Sequence, residues 1–168
     1  MPQDRRRRVG PLSAVSAPEP ALALGDTAVH HVRLGTLGVT LHGGDAPSSF
    51  VPWAGIREIQ ADTPTTWWPH PGVGDTVVAI IEGLLGGSAS EASETPTFAV
   101  RVVIADGETL EWRATTHYLS GYRRRDAALA AGLLDHLVSR ADARVLLARP
   151  TALLERVDQI LPSPRSER

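Results

Sequence analysis

A chain of 168 residues, 42% hydrophobic and 21% charged, has the composition of one soluble globular domain with loose ends, long enough for a real core but short for two. Its formal net charge of -2 supplies no electrostatic drive towards nucleic acid or an anionic membrane. The absence of Cys excludes disulfides, thiolate zinc sites and thiol nucleophiles, and the absence of Lys excludes Schiff-base chemistry and a complete P-loop.

Asn is also missing while Ala, Gly, Pro and Val abound, a bias that coding in a GC-rich genome accounts for. Residues 1–25 open with the run Arg5 to Arg8 and continue through Pro, Ala and Ser without a sustained period, which predicts a disordered, solvated tail. In a functional reading the four arginines would touch phosphate, RNA or acidic lipid. No apolar run reaches the roughly 18 residues of a membrane span. The stretch 9–24 is broken by Pro11, Pro18, Glu19 and Pro20, so it lacks the apolar centre of a signal peptide and the expected compartment is the cytoplasm.

Order is expected from Thr27. Alternation over residues 29–34, then Leu34-Gly35 leading into residues 38–41, predicts a hairpin, and His42 to Pro47 is turn chemistry. The stretch 48–59, SSFVPWAGIREI, organises the rest. Phe50 and Trp53 are its large apolar anchors, Pro52 ends one strand, and Gly55 frees the chain to turn before a strand over residues 56–61.

Residues 62–96 read as a loop insertion. Its first part carries Trp67, Trp68 and His70 among prolines and glycines, and its last part, 86–96, is polar and of low complexity. Between them, residues 75–85 fit two periods. Val77, Ile80, Ile81, Leu84 and Leu85 suit a helix capped by Asp75, whereas the β-branched run 77–81 suits a buried strand.

The clearest hairpin spans residues 97–116. Phe98, Val100, Val102 and Ile104 alternate on one strand and Leu110, Trp112 and Ala114 on the other. A two-residue Asp106-Gly107 loop would set these two apolar groups on opposite faces. A three-residue loop, with Gly107 left-handed, pairs Val102 with Leu110 and Val100 with Trp112. Residues 122–140 form the strongest predicted helix, striped by Leu129, Leu133, Leu134, Leu137 and Val138. After a short apolar connector, Pro150 begins a second helix bearing Leu153, Leu154, Val157, Ile160 and Leu161. Residues 162–168 are a charged tail.

This order of elements resembles small bacterial proteins with a pleckstrin-homology-like fold. The likeness is carried by Val51-Pro52-Trp53-Ala54-Gly55-Ile56, the Ala105-Asp106-Gly107 turn and the helix 122–140, and it covers residues 27–140. It implies an α+β, mainly β domain over residues 26–161, a seven-stranded barrel or sandwich closed by a helix, with residues 77–81 as one strand. The additional helix after Pro150 and the long 62–96 region depart from the pattern. Proteins of this fold are mostly binding modules, so the resemblance implies a non-enzymatic binding or scaffold role, most naturally protein–protein, with no catalytic set and no cofactor.

The residues themselves point the same way. His30 and His31 adjoin on a strand and face opposite ways, and no HExxH or repeated His spacing occurs, so no metal is expected. Ser120 lacks the Gly-x-Ser-x-Gly frame. An acid/base pair of His117 with Asp62 or Glu111 would need the fold to bring them together. Two candidate binding groups remain. Arg123, Arg124 and Arg125 open a helix, where the macrodipole disfavours cations unless an anion or acidic partner sits there. Trp67, Trp68 and His70 are either core or an aromatic contact patch. A homodimer through the C-terminal helix or the tryptophan loop is the expected assembly, with the partner otherwise an unknown protein. The alternative is a small β-barrel that encloses or acts on an apolar molecule, with Trp67, Trp68, Trp112 and His117 at its pocket.

Overall fold

The computed structural model describes residues 8–43, 48–67 and 96–160. The architecture is α+β and mainly β. A six-stranded antiparallel sheet runs in chain order through β1 (Arg8–Val9), β2 (Leu12–Val15), β3 (Ala21–Gly25), β4 (His31–Leu34), β5 (Gly38–His42) and β6 (Phe50–Pro52). A three-stranded antiparallel sheet has β9 (Thr97–Ile104) between β7 (Ile56–Ala61) and β10 (Thr109–Thr115). A parallel pair joins β8 (Thr65–Thr66) to β11 (Tyr122–Arg123). Two helices follow, α1 (Arg124–Ser139) and α2 (Pro150–Ile160), separated by the 3-10 segment Ala141–Ala148. The described strands do not close into a barrel.

Residues 8–25 are not a tail. They supply β1, β2 and β3, and Leu12, Leu22 and Leu24 have no exposed surface. Register places Leu12 and Leu24 beside Val32, and Leu22 beside Leu34 and Val39, on one face of the sheet. That face joins the main core with Trp53, Ile59, Val100, Leu134, Leu137 and Leu154. The other face is covered too, since Ser13, Ala23 and His31 are also buried. A strand buried on both sides shows no polar alternation. Here Leu and Ala alternate in size instead, and the prolines that suggested disorder lie in the turns between the strands.

The hairpin β4–β5 and the strand Ile56–Ala61 form as expected. Six of the seven expected strands are present; the seventh, 77–81, and the helix-or-strand question over 75–85 lie outside the described residues. In the β9–β10 hairpin, Leu110 faces Val102 and Trp112 faces Val100. The turn has three residues: Ile104 donates its N–H to Glu108 O at 2.9 Å, and Gly107 takes φ +94. On β7 a bulge between Ile56 and Glu58 reconciles two buried isoleucines three residues apart, which a regular strand would turn to opposite faces.

The stretch around Trp53 fastens these layers. Trp53 is buried in a 3-10 turn, Trp53–Gly55, and its indole N–H donates to Gly35 O at 2.8 Å. The Arg144 guanidinium lies over its ring at 5.1 Å and donates to Leu137 O at 2.8 Å and Val138 O at 2.9 Å, the open carbonyls at the end of α1. Phe50, expected as a second anchor, is 56% exposed. It pairs with Thr40, on the face opposite the core residues Val39 and Val51, and its ring lies over Gly38.

Helix α1 begins two residues later than expected because Tyr122–Arg123 pairs with β8. It packs on β7 and buries Ala127, Ala130, Leu134 and Leu137. Pro150 opens α2 as expected, and Leu153, Leu154 and Val157 bury that helix against β1 and β2. Leu161 lies outside the described residues.

Candidate functional site

The short parallel pair β8–β11 decides where the expected binding residues stand. Thr65 faces Tyr122 and Thr66 faces Arg123, with Tyr122 N–H donating to Pro64 O at 2.8 Å. Gly121, at φ +83, makes this approach feasible, because a Cβ there would lie 2.6 Å from Pro64 O. Both strands run the same way, so Trp67 and Arg124 leave them at the same end. Two groups that sequence spacing kept 57 positions apart thus share one edge.

Trp67 is 79% exposed there, and Trp68 and His70 lie outside the described residues. Arg123 ends β11 and occupies the N-cap position of α1 without a side-chain cap hydrogen bond. Arg124 is exposed. Arg125 turns to α2, donating to Asp158 O at 3.3 Å and lying 3.8 Å from the Asp158 carboxylate. Asp126, the acid in that first turn, has its pKa raised by burial, against the opposing pull of Arg123 and Arg125.

A second cluster was not legible in the sequence. His117 leaves β10 with its ring between Ser13, 104 positions earlier, and Tyr122. Tyr122 Oη accepts from the His117 backbone N–H at 3.0 Å and shares a second hydrogen bond with His117 Nδ1, also at 3.0 Å. Nε2 is hydrogen-bonded to Ser13 Oγ at 3.3 Å. The geometry places a serine hydroxyl and a phenol on the two ring nitrogens of one histidine. Tyr122 stays neutral, its pKa pushed up to about 12 by burial. The cluster ties the N-terminal sheet to the start of α1. Of the acids weighed as partners of His117, Asp62 pairs with Arg101, and Glu111 is exposed on β10 opposite Arg101.

His31 and His42 face each other across β4–β5, their rings stacked at 5.3 Å. Burial, then His42, lowers the His31 pKa to about 4, and His42 is lowered by burial and Arg33. Among the described residues no group of three His, Asp or Glu side chains gathers as a metal site, and no helix is long and apolar enough to cross a membrane. Trp112, proposed for an apolar pocket, is buried in the core. A concavity of about 630 Å³ is an open groove between the 3-10 segment and α2, and takes no residue from Trp67, Trp112 or His117.

No protein-family model, curated protein or solved structure matches the chain.

Proposed function

We propose that the chain is a pleckstrin-homology-like binding module that acts by protein–protein contact, through the edge where Trp67 meets Arg123 and Arg124. The juxtaposition made by β8 and β11 carries this reading. It brings an exposed tryptophan to the end of the strand pair from which Arg123 and Arg124 open a helix, and Trp and Arg are the side chains that most often dominate interface energetics. The partner that suits it presents an apolar side chain flanked by carboxylates, which would offset the charge that α1 carries at its positive end.

The fold-level part of the proposal draws on element order. Strands β4 to β6, then β7, β9 and β10, then α1, supply six strands and the closing helix of that pattern, with β1 to β3 standing in front of it. The Ser13–His117–Tyr122 set plays a structural part in this reading, tying the N-terminal sheet to the start of α1.

Affinity capture with the full chain tests this reading. A protein enriched by the wild type and lost with both Trp67→Ala and Arg124→Glu, each variant keeping its thermal midpoint, is the expected result. Enrichment unchanged in both variants overturns it.

A further inference from the structure

Helix α2 turns Leu153, Leu154 and Val157 to the core and leaves a second face to solvent. Arg149 precedes the helix, its carbonyl accepting from Leu153 N–H at 3.0 Å, so it stands at the N-cap position. Arg149, Ala152 and Glu155 follow at intervals of three and all are exposed, as is Arg156. They line the groove of about 630 Å³ whose other wall carries Val145, 69% exposed, and Leu146, 41% exposed. Among the described residues, Arg149, Glu155 and Arg156 take part in no ion pair and no side-chain hydrogen bond. The same face therefore combines exposed apolar area with both signs of unused charge.

The arrangement of those charges selects the occupant. Arg149 and Glu155 lie three residues before and three residues after Ala152. When two such helices pack antiparallel about a two-fold axis at Ala152, each Arg149 falls opposite the other copy's Glu155. The alanines meet at the crossing, where small side chains let the helices approach closely. The face is thus complementary to itself, and Val145 and Leu146 on the adjoining wall add the apolar contact that rim ion pairs alone do not supply.

The geometry points to an isologous homodimer through α2, with Arg149 of each copy on Glu155 of the other around a central pair of Ala152 residues. This surface is separate from the Trp67–Arg124 edge, so the dimer stands or falls independently of the partner proposed there.

Sedimentation of the full chain over a concentration series tests it. Wild type is expected in monomer–dimer equilibrium. Arg149→Glu and Glu155→Arg each replace two attractive pairs by two repulsive ones, and each should weaken association by about tenfold or more. Both positions are on the surface, so both variants should keep the wild-type thermal midpoint. The decisive arm mixes the two single variants in equal amounts. A heterodimer then contains only attractive pairs, so association should return, as it should in the double variant Arg149→Glu/Glu155→Arg. A monomer at every concentration, a dimer indifferent to both single variants, or a mixture that stays monomeric would each overturn the proposal.

Discussion

Replacing Trp53 by Ala should cost about 3–5 kcal/mol, the range for deleting a buried aromatic and leaving its cavity. Three contacts of this ring contribute. It is buried within the core cluster, its N–H satisfies Gly35 O, and its face receives the Arg144 guanidinium. Graded variants separate them. Trp53→Phe keeps most of the apolar area but strands the Gly35 carbonyl, for about 1–2 kcal/mol. Arg144→Ala loses the stacked cation and the two hydrogen bonds to the end of α1, again about 1–2 kcal/mol. Because Trp53 and Arg144 touch, their double variant should fall short of additivity by about 0.5–1 kcal/mol. Urea denaturation followed by circular dichroism measures all four proteins, with the slopes checked for constancy before midpoints are compared. A loss below about 1 kcal/mol for Trp53→Ala would refute the fastening role of this ring.

Two further outcomes follow from burial. Leu22→Ala should cost about 2–5 kcal/mol, and removing residues 1–25 should abolish cooperative unfolding, since three fully buried leucines leave with that segment; an unchanged thermal midpoint after truncation would contradict the double-sided burial of β2 and β3. Stability should fall as pH drops from about 6.5 to about 4, because His31 has its pKa lowered to about 4 in the folded protein and so the unfolded chain binds the proton first. The displacement corresponds to about 3 kcal/mol, which solvent at the open side of the His31–His42 pair reduces to about 1–2 kcal/mol. His31→Phe, which keeps a ring on His42, should flatten that slope, and an unaltered pH profile of the urea midpoint would show that other groups set it.

The parts of the fold that the sequence reveals are those with a single apolar face. Phe98 to Ile104 and Leu110 to Ala114 alternate with period two, and facial parity alone chose the three-residue turn. Helix α1 was legible from its leucine stripe, apart from Tyr122 and Arg123, whose pairing with Thr65 and Thr66 is non-local and only two residues long. Strands β2 and β3 were missed for the opposite reason: with both faces covered, Leu and Ala differ in size rather than polarity, and the segment reads as low complexity. Phe50 looked like an anchor because residue type does not say which face a short edge strand presents. At the candidate site, the residue types were visible but their adjacency was not, since it depends on one parallel pairing between distant segments. The Ser13–His117–Tyr122 set carries no local signal at all.

The binding proposal is tested most directly by replacing Trp67 of the full chain with an aromatic photo-crosslinking side chain, which keeps a ring at that position, with a matching probe at Glu111, which is exposed on β10. Irradiation in the native cells should give a discrete protein adduct from position 67, absent from position 111 and abolished by Arg124→Glu. Identical patterns from both positions, or an adduct that survives Arg124→Glu, would contradict it.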